Sequence, residues 1–340
     1  SLVEGLALLA AVARGETVPI PSATGWLLEG GGWRIADGSA LVSTGGPEDE
    51  SAWRTAPLPL KPGALYVLTF RARLLGGNGG TPISGPAFCN RDLGPLGPDW
   101  TRFRSVFVAP SDAGPASSWL RFGRWHLSGT VAFDDVRLAS AVPVHARAGE
   151  LVLGAGERVS GTAYEFNAPL GGEGRNFSRP LLSQRCGFNS NRWVFGADRE
   201  VVYRHAVAGR RLTDAAVEVG VGYYERGELV VEAGASGTAW AELGTIDGSR
   251  HATFTVPASL LPADAIRIRL RARASRAAGT RSDPGSLQVD AYAFRAALSG
   301  PPAALKGATR FLAVLEEDPR VDVEVTALGD GLPGGANQVT

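Results

Sequence analysis

The sequence predicts an all-β protein built from two consecutive β-sandwich or jelly-roll domains, followed by a short β tail. Three observations carry this: abundant turn residues, many short segments of alternating hydrophobicity, and a lack of long amphipathic helix patterns. The chain contains 45 glycines and 22 prolines, and they punctuate runs rich in Val, Ile, Thr and aromatic residues. With 340 residues, 44% of them hydrophobic and 20% charged, the composition is globular and sufficient for two cores. Lys+Arg and Asp+Glu balance at 34 each. That balance removes the electrostatic footprint of a general nucleic-acid binder and gives no reason to expect a membrane surface.

The first 16 residues carry an apolar run from Leu6 to Ala13, which is too short to span a bilayer. The segment reads either as the end of a secretory signal, placing the protein outside the cell or on its surface, or as a short docking helix. A first domain follows over residues 17–141, with strand candidates "WRIADGSALVS", "ALYVLTFRARL", "WTRFRSVFVAP", "SSWLRFG" and "GTVAFDDVRLA". Residues 142–150, including "PVHARAGE", read as a linker. A second domain occupies 151–299, with strands such as "TAYEFNA", "EVVYRHAV", "GELVVEAG" and "AIRIRLRARAS". Residues 300–340 read as a linker and a partial third β unit, since "VDVEVTALG" alternates strictly. Cys89 and Cys186 fall in different candidate domains and read as two separate thiols.

"GTVAFDDVRLAS", residues 129–140, poses a specific problem. Val131 and Phe133 share one strand face, whereas Val136 and Leu138 share the other, so the apolar phase slips at Asp134 and Asp135. A β-bulge explains the slip, as does an unbroken strand whose inner face carries Asp134. In either case the carboxylates need a partner: an arginine, several backbone N–H groups or a bound cation.

"GWLLEGGGW", "AWRTAPLPLKPGALYVLTFRAR", "WTRFRSVFVAP" and "LRFG", followed by "GTVAFDDVRL", are similar in order and spacing to carbohydrate-binding modules of the family 4/9 type. Residues 22–141 carry the resemblance, which implies a galactose-binding-like β-jelly roll. It also implies a structural calcium held by Asp134 or Asp135 with Glu29, and oxygen ligands suit that hard cation. Arg71, Arg73 and Arg137 are the competing partners for the aspartates. The second domain resembles galactose-binding-like domains only through the "GELVVEAGASGTAWAEL" hairpin.

Two constellations suit ligand binding. Trp125 and His126 lie in the polar turn "FGRWHLSG", and "FCNRDLGPLGPDW" supplies Asn90, Arg91 and Asp92 on a loop. An aromatic face stacks on a pyranose, and amide, guanidinium and carboxylate groups suit its hydroxyls. Trp33, Trp53 and Trp100 read as packing residues. In "AIRIRLRARAS", Arg267, Arg269, Arg271 and Arg273 share one strand face, where they either meet an acidic polysaccharide or form a cross-strand ladder with acids such as Asp290 or Glu232. Nucleophile elbow, zinc-protease and phosphate-loop motifs are lacking. The sequence therefore points to a secreted, non-catalytic polysaccharide-binding protein, or to an accessory region of a larger carbohydrate-active enzyme. The rival reading is a structural cell-envelope protein whose jelly rolls self-associate.

Overall fold

A computed structural model describes residues 16–312 except 22–24, 36–39, 50, 172–175, 197 and 274–286, together with 325–327 and 337–339. Among these residues, β-strands dominate, and Ala258–Leu260 forms a 3-10 turn. The chain forms two compact units, the first over residues up to Val142 with Phe188–Ser190, the second over Pro143–Gly187 and Asn191–Phe311. The N-terminal apolar run lies outside the described residues.

The first unit contains β1 (Thr17–Val18), β2 (Trp26–Glu29), β3 (Gly32–Arg34), β4 (Leu41–Gly45), β5 (Ala52–Thr55), β6 (Leu65–Asn78), β7 (Thr81–Pro86), β8 (Cys89–Asp92), β9 (Thr101–Val108), β10 (Leu120–Trp125) and β11 (Ser128–Ser140). One sheet runs β3-β4-β11-β6-β9, with β1 beside β11, and the other runs β2-β5-β10-β7-β8. Alternation turns one face of each sheet inward. Phe70 of β6 and Phe133 of β11 both meet Phe122 of β10, at ring separations of 5.0 and 5.2 Å. These rings join the two sheets, and all three side chains are buried.

The phase slip in β11 is a bulge. Pairing with β6 shifts register between Asp134 and Arg137, and Asp135 takes a left-handed φ of 52°. Val131 and Phe133 therefore point inward before the bulge and Leu138 after it, each at 0% exposure.

The second unit contains β12 (Val142–Ala148), β13 (Leu151–Leu153), β14 (Glu157–Gly161), β15 (Ala163–Asn167), β16 (Leu181–Gln184), β17 (Gly187–Asn189), β18 (Arg192–Phe195), β19 (Glu200–His205), β20 (Leu212–Tyr224), β21 (Glu228–Gly234), β22 (Ala241–Ile246), β23 (His251–Thr255), β24 (Ile266–Arg273), β25 (Leu287–Leu298), β26 (Ala303–Lys306) and β27 (Thr309–Leu312). Of β17, Phe188 and Asn189 belong to the first unit, where they pair in parallel with Cys89 and Asn90 of β8. The sheets of the second unit run β18-β25-β15-β14-β26, with β20 and β23 attached through β25, and β16-β19-β24-β21-β22. A small sheet, β13-β12-β27, completes it. Residues expected to be a linker thus form strand β12, because Ala146, Arg147 and Ala148 find ladder partners in β13. Strands β26 and β27 likewise belong to this unit rather than to a separate tail. Further on, β28 (Val325–Ala327) pairs with β29 (Asn337–Val339), while the first part of "VDVEVTALG" lies outside the described residues.

The core of the second unit holds a polar chain. Glu157, whose side chain is 0% exposed, receives two hydrogen bonds of 2.5 Å from Arg179 and one of 2.7 Å from the Tyr164 hydroxyl. Tyr164 has one proton, so at 3.3 Å from His205 Nδ1 its oxygen must accept. His205 is then the neutral Nδ1–H tautomer, and its Nε2 accepts from the Tyr292 hydroxyl at 2.8 Å. Burial, reinforced by the Arg179 charge, holds the imidazole pKa well below its ordinary 6.5. The unfolded chain keeps the ordinary value, so between the two values only the unfolded state takes up the proton. Stability of the second unit is therefore complete above pH 6.5 and declines as pH falls below it, by up to about 1.4 kcal/mol per pH unit for this one group. Urea midpoints between pH 7.5 and 5 should show that slope, and His205→Gln should flatten it. A midpoint in the wild type that does not change with pH would contradict the assignment.

Candidate functional site

The alternation of β10 decides which residues of the first unit meet solvent. Leu120, Phe122 and Arg124 are buried, whereas Arg121 is half-buried and Trp125 is 45% exposed. Arg121, Gly123 and Trp125 thus occupy the outward face. Trp119 precedes them with the same phase, and the Arg54 guanidinium lies 5.7 Å from its ring. Arg54 is directly opposite Arg121 in the sheet and pairs with Glu29 at 2.6 Å. Trp125 stands opposite Thr81 of β7. Beside it, His126 takes a left-handed φ of 49°, and the two rings meet edge to face at 4.5 Å.

The residues expected on a loop, Asn90, Arg91 and Asp92, lie instead on strand β8, which pairs with β7 through Asp92 and Arg91. Strand alternation then divides them. Asn90 faces outward, accepting from Arg121 Nη2 at 2.8 Å and donating to Asp92 Oδ1 and Asn189 Oδ1 at 2.9 Å each. Arg91 faces inward, where its Nη1 donates to the Arg104 carbonyl and to Ser105 Oγ at 2.6 Å each. Arg91 is therefore a structural residue, and Arg121 takes its place among the outward polar groups.

Behind the exposed tryptophan sits a guanidinium that is only 1% exposed. Arg124 donates to the carbonyls of Gly45, Gly46, Asp49 and Leu127 and to the hydroxyls of Ser43 and Ser51. Desolvation lowers its pKa, and the Asp49 charge opposes that effect. One side chain thereby joins the end of β4, the turn at residues 45–51 and the turn leading into β11. The imidazole of His126, 3.2 Å from the Pro47 carbonyl, adds a second tie to the same turn.

The carboxylates proposed for calcium do not converge. Asp134 pairs with Arg71 at 2.6 Å, Asp135 pairs with Arg137 at 3.0 Å, and Glu29 lies in the other sheet with Arg54. Asp134 Oδ1 also accepts the Asp135 N–H, at 2.8 Å. Among the described residues, no three His, Cys, Asp or Glu side chains gather to hold a metal ion. This donor set does not fit calcium. Arginine is the partner that the bulge places opposite Asp134, because Arg71 is its cross-strand neighbour.

The arginine stripe is also compensated along most of its length. Arg269 meets Glu232 at 2.6 Å and Arg271 meets it at 3.6 Å, while Arg273 meets Glu228 at 2.8 Å and Glu242 at 3.3 Å. Trp240 stacks under Arg269 at 4.4 Å. This is the cross-strand ladder, with Glu232 in the expected role and Asp290 outside it. Arg267 alone of the four has no carboxylate partner among the described residues, and it faces Arg204 across the ladder. Cys89 and Cys186 are both buried thiols.

Of the other tryptophans, Trp53 packs in the core and donates to the Val42 carbonyl at 3.1 Å. Trp100 lies under Arg71 and Arg73, 4.9 and 4.5 Å from their guanidiniums. Trp33 is 47% exposed rather than packed, because β3 is an edge strand. Sequence reasoning missed Arg124, Arg121 and Trp119 altogether. Only Leu120 and Phe122 hold an inward apolar phase in "WLRFGRW", residues 119–125, and Arg124 breaks it, so the pattern hid both the buried arginine and the outward ring of Trp119.

No protein-family model matches the chain, and no curated protein does. Among solved structures, the chain is similar to a tandem CBM22-1-CBM22-2 domain of Paenibacillus barcinonensis Xyn10C, at 11% identity over 83% of this chain and 98% of that one, with a TM-score of 0.31. It is also similar to a CBM4 structure, at 15% identity over 34% of this chain and 95% of that one, TM-score 0.28. The N-terminal cellulose-binding domain of Cellulomonas fimi β-1,4-glucanase C is similar at 19% identity over 35% of this chain and 90% of that one, TM-score 0.27. No helix among the described residues is long and apolar enough to cross a membrane.

Replacing Arg124 with Met should strand several buried acceptors at once. We expect a loss of about 3 kcal/mol in the first unit, since each unsatisfied buried group costs about 1 to 3 kcal/mol. Arg124→Lys should restore only part of it, because an ammonium cannot reproduce the planar fork. Urea unfolding followed by tryptophan fluorescence gives the answer, and midpoints equal to wild type would contradict the role.

Proposed function

We propose that the first unit is a non-catalytic module that binds a polysaccharide along the outward face of β10. The observation that carries this is the disposition of Trp119 and Trp125 at the two ends of that face, with Arg121, Asn90 and Asp92 hydrogen-bonded together beside it. Six residue steps of extended chain separate Trp119 from Trp125, or about 20 Å. That length suits an extended chain of several sugars rather than a single ring. Each indole can stack on a pyranose C–H face, while the amide, carboxylate and guanidinium offer donors and acceptors to the hydroxyls. Gly85 and Gly123 add no side chains between these groups.

Among the described residues of this face, the carboxylates are engaged with neighbours rather than set as in a glycoside hydrolase. Such an enzyme uses two carboxylates across the scissile bond, one of them protonated. Here Glu29 is paired with Arg54, and Asp92 is hydrogen-bonded to Asn90. A polymer of this kind is met outside the cell, and the module accordingly acts in a secreted or cell-surface protein.

Affinity electrophoresis in native gels containing soluble β-glucan or xylan tests the proposal. Trp125→Ala should weaken binding by about 1 to 3 kcal/mol, the range for a well-packed aromatic contact, and should leave the melting temperature unchanged because the ring is not part of the core. Migration of the wild type unaffected by every neutral polysaccharide, or equal retardation of the variant, would reject it.

A further inference from the structure

The second unit contains a cavity of about 510 Å³ lined by Arg179, Arg204, Arg210 and Arg211 together with Glu150 and Asp264. Not all of this charge is available. Arg179 is bound bidentately to Glu157, and Arg211 pairs with Asp264 at 3.4 Å. Among the described residues, the Arg210 guanidinium reaches only a backbone carbonyl, that of Gly161, at 3.3 Å. Arg204 has no carboxylate partner among the described residues and is exposed.

Arg204 is also the point where the cavity meets the arginine stripe. It lies on β19 directly opposite Arg267 of β24, whose other neighbour is Gly234 of β21. Directly opposed side chains on one sheet face are about 5 Å apart at Cβ, where like charges destabilise. Everywhere else along β24 the sheet supplies a glutamate. Here it supplies a second arginine and a glycine, and Arg267 Nε is shielded from solvent without an acceptor. With Arg267 included, five arginines face three carboxylates: Glu150, Glu157 and Asp264.

We infer that Arg204, Arg210 and Arg267 form a binding site for the carboxylate or sulfate groups of an acidic polysaccharide, separate from the neutral-sugar face of the first unit. An oxyanion accepts paired N–H donors from a guanidinium fork, and it removes the repulsion between Arg204 and Arg267 that the sheet leaves in place. The anionic character of the ligand follows from these three side chains alone. That the anion is borne by a polysaccharide rests on the reading of the first unit.

The test uses the full chain in native gels containing polygalacturonate or heparin, with neutral β-glucan alongside. Both acidic polymers should retard the protein, and added salt should weaken the retardation as exposed charges are screened. The double variant Arg204→Gln, Arg267→Gln should bind at least tenfold more weakly with a melting temperature no lower than that of the wild type, since the repulsion is removed with the charges, while Trp125→Ala should still be retarded by the acidic polymers. Retardation no greater than with β-glucan, or full retardation of the double variant, would overturn the site. Loss of acidic-polymer binding in Trp125→Ala would assign the anion to the first unit and overturn it equally. A rise in melting temperature with millimolar inorganic sulfate as large as with heparin would overturn the polymer and leave a free oxyanion as ligand.

Discussion

A single buried cation sets the shape of the exposed face in the first unit. Arg124 points into the sandwich because it shares the inward phase of Leu120 and Phe122, and an unaccompanied guanidinium there would be prohibitively costly to desolvate. The chain answers with carbonyls. The segment from Gly45 to Asp49 folds against it and presents three of them, and the turn after β10 presents a fourth from Leu127. Trp125, one residue further, then has nowhere to go but outward. The ring is exposed because its neighbour is buried, and its backbone is fixed on both sides by that neighbour's hydrogen bonds. Preorganisation of this kind lowers the ordering entropy that a ligand must otherwise overcome.

The second unit handles charge by a different route. Glu157 is buried with Arg179 and Tyr164, so its carboxylate is compensated within the core, while the outer face of β24 is neutralised by glutamates on adjacent strands. Both arrangements satisfy the same rule, that a desolvated charge must find a partner. Arg267, whose Nε is shielded without an acceptor and which stands opposite the exposed Arg204, departs from that rule.

What could be read from the sequence was local. Period-two alternation identified most strands, the phase slip at Asp134 and Asp135 marked the place where the structure has a bulge while leaving an unbroken strand open, and the polar surroundings of Trp125 identified an exposed ring. The same alternation contained the inward turn of Arg124 and Arg91, but it gives the side of the sheet and not the partner. Arg124 meets Gly45 across 79 residues and Asn90 meets Asn189 across 99, and no pattern within a short window encodes such pairs. The aspartates of β11 show the same limit: the sequence signalled a need for positive charge, and the cross-strand partner of Asp134, Arg71, was set by a register that only the fold reveals. Within the expected linker, residues 142–150, strand β12 leaves little trace in the sequence because it is completed by β13 and β27, elements too short to announce themselves.

The face proposed to carry the ligand is the one that Arg124 holds from behind. Backbone amide shifts of isotope-labelled protein, titrated with a soluble β-linked oligosaccharide, test that proposal most directly. Perturbations should concentrate at Trp119, Arg121, Trp125, Asn90 and Asp92, together with a shift of the Trp125 indole N–H. Perturbations confined to the opposite sheet, or to residues remote from β10 and β8, would contradict it.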